Sequence, residues 1–170
     1  MCSAELKAAG GDHMRKHIIT KGPQGVMPAD QNWLDLEKLA QAELTSEVMS
    51  HPIESALKPN VGSGWRASEP GQQTIRMLFD KPLRVRRILL VFQEDEQERT
   101  QEFVLRWSSD HGKTYREIVR QQYNFSLPDA TREIEDYAVD LEGLTTLELS
   151  IVPNISGGNA CASIAQLRLA

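Results

Sequence analysis

Cysteine is scarce in this chain of 170 residues, which contains only Cys2 and Cys161. One lies in the first few residues and the other in the last apolar segment, so we expect two free thiols rather than a disulfide framework. Aromatic residues are also sparse, at 6%, and the function of each therefore matters. A chain of this length can bury enough apolar surface to fold without a disulfide or a structural metal.

Long apolar runs and an excess of basic charge are missing as well. No segment approaches the roughly 18 apolar residues that span a bilayer, and residues 1–20 are rich in charge and lack the apolar region of a secretory signal. We therefore expect a cytoplasmic protein without a membrane partner. The net charge of −5 argues against nucleic acid as a partner, because proteins that bind it usually present a basic face.

Catalytic and metal-binding motifs are absent too. The sequence contains no Gly-x-Ser-x-Gly elbow, His-Glu-x-x-His motif or Cys-x-x-Cys pair. His13 and His17 have the spacing of one helical face, but two ligands do not complete a metal site, and we interpret them as solvated polar residues. The sequence therefore predicts a protein that is not an enzyme and uses no cofactor.

Glycine and proline divide the chain into two parts. Gly10-Gly11 and Gly22-Pro23 are typical of irregular structure, so we predict a flexible leader over residues 1–31. A single domain is expected over residues 32–170. It begins with a short amphipathic turn at Trp33–Leu39.

The rest of the chain has the pattern of β-strands. In Thr100–Ser108, the side chains of Phe103, Leu105 and Trp107 alternate with polar ones, which predicts that these three face a core. The other predicted strands are Gln41–Ser46, Gly64–Ser68, Gln72–Asp80, Val85–Phe92, Tyr115–Gln121, Ile134–Leu141, Leu144–Val152 and Ala160–Leu169. Their connections are short and no long helical period separates them, which excludes parallel βαβ units. We predict an all-β fold, an antiparallel β-sandwich of the jelly-roll type.

The connection after Thr100–Ser108 has its own turn chemistry. The carboxylate of Asp110 can close a tight turn by accepting local backbone hydrogen bonds, and Gly112 can take the positive φ that such a turn requires. We therefore interpret Asp110 as a residue that forms the turn and not as a catalytic acid.

Four stretches in order carry a resemblance to a known family. They are Gly64-Trp65-Arg66-Ala67 followed by Pro70-Gly71-Gln72, Phe79-Asp80-Lys81-Pro82 leading into Val85-Arg86-Arg87-Ile88, the hairpin Phe103–Tyr115, and the ending Ala162–Leu169. Together they resemble the discoidin domains, also called coagulation-factor C-type or F5/8 type C domains, and the related galactose-binding-like carbohydrate-binding modules. The resemblance covers about residues 33–170 and implies a lectin-like β-sandwich that binds its ligand through loops at one end.

One departure concerns calcium. The resemblance implies a structural Ca²⁺ held by an aspartate in the loop before the tryptophan and by a glutamate in the final strand. Here the loop Leu57–Gly64 has no carboxylate, and Gln166 stands where the glutamate would be. Because Ca²⁺ sites usually include carboxylates, we expect no bound metal, although Asn60 and Gln166 offer neutral oxygens.

Candidate ligand-binding residues follow from their predicted positions in loops. A sugar site needs an aromatic plane and polar groups that form paired hydrogen bonds, and Tyr123 combines an apolar ring with a polar tip. Trp65 is open to two interpretations, as a buried plug or as a ligand platform. The candidates are Trp65, Arg66, Arg99, Tyr123, Asn124 and Asn159.

Two functions fit this pattern. The first is a non-catalytic module that recognises carbohydrate, and the second is a protein-interaction or assembly module on the same fold. The carboxylates of Glu94–Glu98 bear on both. They are either a solvated hairpin loop that discourages edge pairing or an acidic rim that meets sugar hydroxyls or a basic partner.

Overall fold

The computed structural model describes residues 32–59 and 64–170. Most of these residues lie in antiparallel β-strands, and two single helical turns precede and follow the first strand. The elements are α1 Leu36–Leu39, β1 Ala40–Leu44, α2 Glu54–Leu57, β2 Trp65–Pro70, β3 Gln73–Gln93, β4 Arg99–Ser108, β5 Arg116–Phe125, β6 Arg132–Val152, β7 Cys161–Ile164 and β8 Gln166–Leu169. The predicted leader, residues 1–31, and the pair His13 and His17 lie outside the described residues, as does Asn60.

Two long strands, β3 and β6, pair with each other along nearly their whole length. The first part of β3 and the last part of β6 belong to the strand order β1-β3-β6-β4-β5, whereas the end of β3 also pairs with β8. The two long strands thus contribute to both layers of the fold. The predicted antiparallel β-sandwich is confirmed.

The points where β3 and β6 change layer correct the predicted strand boundaries. The sequence predicted a turn at Lys81-Pro82 and another at Glu142-Gly143, each separating two strands. In the structure each long strand continues through its turn signal, and the β3–β6 register shifts there. Pro82 lacks an amide donor and Gly143 has a φ of 77°, and both features suit a bulge that bends a strand.

The core lies between the two layers. Phe92 from the end of β3 stacks on Phe103 of β4 with 5.1 Å between ring centroids. Phe103 and Leu105 are buried as predicted, and Trp107 is partly buried against the same core, with Arg116 over its ring. The alternation in Thr100–Ser108 therefore identified the inner face of this strand correctly.

The hairpin between β4 and β5 confirms the interpretation of Asp110. Its carboxylate accepts hydrogen bonds from the Ser108 hydroxyl and from both the amide and the hydroxyl of Thr114. These bonds hold the pKa of Asp110 below its usual value. His111 and Gly112 both have positive φ, which completes the tight turn.

Two short features were not resolved by sequence patterns. The helical turn α2 was not predicted, although Ile53, Ala56 and Leu57 have helical spacing and all are buried. The predicted strand Ala160–Leu169 is divided at Ala165 into β7, which pairs with β2, and β8, which pairs with β3. In the described part of the chain, no helix is long and apolar enough to cross a membrane.

Gly64 lies where β2 meets the β7–β8 junction, and we expect Gly64→Ala to destabilise the fold strongly. Its φ is +76°, and an added Cβ would lie 2.7 Å from the Cα of Ala165 and closer still to the carbonyl oxygen of Ile164. Backbone atoms cannot move aside cheaply, so we expect a loss of about 3 kcal/mol or more in the free energy of unfolding. Chemical denaturation measures this loss.

Gly143→Ala provides the matched control. Gly143 has a similar φ of +77° but open space around the added Cβ, so only the backbone preference is lost, about 1 kcal/mol. Equal losses for the two variants would contradict the steric argument.

Candidate functional site

A cleft of about 800 Å³ opens at one end of the sandwich, where β3 ends, β6 begins and β7 meets β8. We call it the loop-end cleft. Arg66 of β2 pairs with Ser163 of β7 on one side, and Gln93 of β3 pairs with Arg132 of β6 on the other. The full lining is His51, Ser55, Lys58, Trp65, Arg66, Gln93, Glu94, Asp95, Glu96, Arg132, Ser163, Ala165 and Gln166.

The lining of the loop-end cleft is mostly polar. It combines guanidinium donors, amides that both donate and accept, hydroxyls, and the exposed carboxylates of Asp95 and Glu96. The Nε2 of Gln93 donates to Asp95 at 2.7 Å, which orients that carboxylate. Such a mixture can hydrogen-bond a ligand that carries many hydroxyl groups.

Trp65 lies in the wall of the cleft but belongs to the core. It is 0% exposed and sits opposite Ile164 in the β2–β7 pair. A ring with no exposed face cannot stack on a sugar, so the platform interpretation is corrected in favour of the buried plug. Its Nε1 has no hydrogen-bond acceptor.

Arg66 is brought into the loop-end cleft, as the candidate assignment requires. Because Trp65 points into the core, the next residue along the strand points away from it. Arg66 is half-buried, and it forms no ion pair with any residue in ranges 32–59 and 64–170. No side-chain partner of Arg66 lies among the described residues, so we treat it as a candidate ligand contact.

Arg99 has a structural role that the sequence did not indicate. Its side chain is 1% exposed, and its Nε donates to Glu94 at 2.7 Å. It also donates to the side chain of Gln101 and to the carbonyl of Pro153, and it lies over the ring of Phe125. With its side chain 1% exposed and its Nε and Nη1 donating inside the protein, Arg99 is corrected from a ligand contact to a buried anchor.

The same ion pair corrects the interpretation of the Glu94–Glu98 loop. Glu94 is buried and is not a solvated rim residue. Burial opposes its ionisation, but the hydrogen bonds from Arg99 and from the amides of Glu96 and Gln97 outweigh that cost and hold the pKa of Glu94 below its usual value. The loop is thus fixed from within, and Asp95 and Glu96 remain at the cleft.

The other three candidates lie elsewhere. Tyr123 packs edge-on against Phe125 at 4.9 Å, and its hydroxyl donates to the carbonyl of Arg132. Asn124 is exposed in a smaller depression of about 350 Å³, which Arg99 also lines, and it accepts a hydrogen bond from Thr100. Asn159 is exposed and lines neither space. The six candidates therefore do not form one site.

Sequence analysis missed Gln93, Arg132 and Ser163 as members of the cleft, whereas Asp95 belongs to the Glu94–Glu98 run that it considered as an acidic rim. Gln93 follows one predicted strand and Arg132 precedes another, so both are at strand ends. The pairing that brings these ends together joins strands distant in sequence, and alternation within a single strand carries no signal for it.

Calcium does not fit the residues that the structure describes around Gln166. The Oε1 of Gln166 is buried without a hydrogen-bond donor, and it is a single neutral oxygen. Between residues 32 and 59 and from 64 onward, no group of three His, Cys, Asp or Glu residues is placed to hold a metal ion. Since Ca²⁺ takes six to eight oxygens that usually include carboxylates, the absence of a metal stays a prediction here.

Glu133, the second residue of β6, is a buried carboxylic acid. Glu133 pairs with Phe92, is 2% exposed, and has no hydrogen-bond partner for either carboxylate oxygen. Burial, together with the neighbouring Glu135, raises the pKa of Glu133 to about 8. The native state therefore favours the protonated form of Glu133.

The solved structures that resemble this chain share its fold. The family 32 carbohydrate-binding module of Clostridium perfringens NanJ, solved with galactose, is 14% identical with a TM-score of 0.60 and covers 81% of this chain and 96% of its own. A module of the same family from AlyQ, solved with 4,5-unsaturated mannuronic acid, is 16% identical with a TM-score of 0.59 and covers 82% and 98%. A third, from Clostridium perfringens with GalNAc-β-1,3-galactose, is 16% identical with a TM-score of 0.58 and covers 81% and 99%.

These likenesses establish the fold, in agreement with the resemblance found in the sequence. Neither a protein-family model nor a curated protein matches the sequence.

Glu133→Gln is expected to stabilise the protein at high pH. A folded-state pKa of about 8, against a usual value of 4.5, means that the native state favours the protonated acid. The contribution of this protonated acid to the free energy of unfolding is fully present below pH 4.5 and is lost as the pH rises through 8. Because the amide introduced by the substitution cannot ionise, we expect the variant to gain about 1–3 kcal/mol over the parent between pH 5 and pH 8.5.

Urea denaturation at the two pH values measures this gain. Glu69→Gln is the control, because Glu69 is exposed and its substitution should leave the pH dependence unchanged. If Glu133→Gln gave the same stability difference at both pH values, the proton would not reside on Glu133.

Proposed function

We propose that this protein is a non-catalytic carbohydrate-binding module whose saccharide occupies the loop-end cleft. The observation that carries the proposal is the cleft itself, about 800 Å³ in volume and lined by polar side chains at the end of the sandwich. A space of this size accommodates a small saccharide.

The chemistry of the lining matches that of a sugar. Adjacent hydroxyls of a sugar ring are best bound by planar groups that form two hydrogen bonds at once. Arg66 offers a guanidinium, Gln93 and Gln166 offer amides, and Asp95 offers a carboxylate. Together they can donate to and accept from the same ring.

The structural neighbours support the same class of ligand. Modules with this fold have been solved with galactose, with GalNAc-β-1,3-galactose and with 4,5-unsaturated mannuronic acid, and a lectin domain with Lewis B antigen. Shared fold alone is a weak argument for function, so the proposal depends on the cleft and the neighbours add to it.

Affinity is expected to be modest. Among the described residues of the lining, Trp65 and His51 carry the aromatic rings, and the Trp65 ring is buried. Without a six-membered aromatic face for stacking, binding relies on hydrogen bonds that replace those to water. We expect a dissociation constant on the order of 0.1–1 mM for a short saccharide.

The absence of catalysis is part of the proposal. Glycoside hydrolysis uses a carboxylic acid with a raised pKa beside a second carboxylate at the bound sugar. The described carboxyl whose pKa is raised is that of Glu133, and it lies in the core beside Phe92, outside the cleft lining.

A protein partner is the alternative, and one observation favours it. Met49 is 96% exposed in the turn before His51, and Ile155 is 48% exposed in the loop after β6. Exposed apolar side chains at loop tips suit a protein interface. They are two isolated residues, however, so carbohydrate is the better-supported ligand.

A glycan-array screen followed by calorimetry tests the main proposal, with Arg66→Ala and Asp95→Ala as cleft variants. We expect saturable binding by the parent protein and a loss of about tenfold or more in affinity for each variant, since each removes hydrogen bonds to the sugar. Asn159→Ala is the control, because Asn159 is exposed outside the cleft, and it should bind like the parent.

A blank array from folded protein would reject carbohydrate as the ligand and favour the protein partner. Binding that Asn159→Ala weakens as much as Arg66→Ala would place the site elsewhere.

A further inference from the structure

We propose that the loop-end cleft selects acidic saccharides, whose carboxylate is held by Arg66 and Arg132. This inference rests on the proposed function and specifies its ligand class. Its basis is which arginines in the described residues form ion pairs with carboxylates and which do not.

Most arginines in those residues are neutralised within the protein. Ion pairs to carboxylates within 4.0 Å involve Arg76, Arg84, Arg87, Arg99, Arg106 and Arg120. Arg116 and Arg168 lie over the rings of Trp107 and Trp33. Most arginines are expected to find a carboxylate partner, because the chain has 24 acidic and 19 basic residues.

Within the described residues, three arginines have neither an ion pair nor an aromatic partner, namely Arg66, Arg86 and Arg132, and two of the three line the same cleft. Arg66 comes from the β2–β7 pair and Arg132 from the β3–β6 pair. Two arginines without a counter-ion among residues 32–59 and 64–170 thus line one space from two different walls.

Two other charged residues of the cleft lining form ion pairs within the protein. Lys58 pairs with Glu37 at 2.9 Å, and Glu94 pairs with Arg99. Asp95 and Glu96 are exposed, and neither forms an ion pair with Arg66 or Arg132 within the described residues although all four line the cleft. Among the described residues, Arg66 and Arg132 therefore form no ion pair with the carboxylates that line the same cleft.

A carboxylate on a sugar matches this arrangement. The guanidinium fork binds a carboxylate through two parallel hydrogen bonds, and the half-buried position of Arg66 reduces screening by water. The remaining hydroxyls of the sugar have partners in Gln93, Ser163 and Gln166, which a simple inorganic anion would leave unused. The geometry thus favours a uronic acid unit over a neutral sugar.

Calorimetry on matched ligands tests this proposal with the full chain. The probes are oligosaccharides of galacturonic, mannuronic and glucuronic acid, each compared with its methyl ester, which keeps the sugar and removes the charge. For at least one acid we expect binding about tenfold or more tighter than to its ester. That difference should shrink as salt is raised from 50 to about 300 mM, because exposed charges are screened.

Variants connect the preference to the two residues. Arg132→Ala should lose about tenfold in affinity for the acid and less than about twofold for the ester, whereas Arg132→Lys, which keeps the charge, should retain part of the preference. Arg86→Ala is the matched control, because Arg86 is the unpaired arginine outside the cleft lining, and its variant should behave like the parent. Thermal melts verify that each variant is folded.

Several results would overturn the inference. Equal affinity for acid and ester would reject acidic selection while leaving the carbohydrate-binding function intact. Equal or tighter binding of a sulfated neutral oligosaccharide would reject the carboxylate as the recognised group. If Arg86→Ala lost as much affinity for the acid as Arg132→Ala, the preference would come from the net charge of the protein and not from the cleft. Failure of every saccharide, neutral ones included, would reject the proposed function together with the inference.

Discussion

The pairing of β3 with β6 is the constraint on which the rest of this structure depends. Because each strand bends from one layer into the other, the same pair of strands helps to build both sides of the core. The bends fall where Pro82 and Gly143 interrupt regular pairing. At the far end, the last residue of β3 meets the first residue of β6, and the side chains of Gln93 and Arg132 emerge together into the cleft. The position of the cleft therefore follows from the pairing of β3 with β6.

A buried ion pair fixes the loop beside that site. Arg99 and Glu94 are taken out of water, which is costly, and the cost is offset by hydrogen bonds to both carboxylate oxygens of Glu94 and from the Nε and Nη1 of Arg99. The bonds join the start of β4 to the end of β6 and to the β3–β4 loop. The result is a loop whose base is held from within while Asp95 and Glu96 face solvent.

The sequence was informative about local structure and less so about the site. Alternation located the strands and the inner face of Thr100–Ser108, and the turn chemistry of Asp110 was correct, because both depend on neighbours in the chain. The strand boundaries at Lys81-Pro82 and Glu142-Gly143 were wrong because a bulge and a turn use the same residues. Of the site candidates, Arg66 is available in the cleft, whereas Trp65 and Arg99 are buried, since burial is decided by long-range packing. Arg132 could not be found without knowing that β6 begins beside the end of β3.

The position of Trp65 also has an optical consequence. Trp65 lines the cleft while its indole is excluded from solvent. Trp107 is partly exposed with Arg116 over its ring, and the guanidinium carbons of Arg87 and Arg168 each lie 5.2 Å from the ring centroid of Trp33. Indole emission responds to the polarity and mobility of its surroundings. We therefore expect the fluorescence of Trp65 to report on occupation of the cleft without an added label.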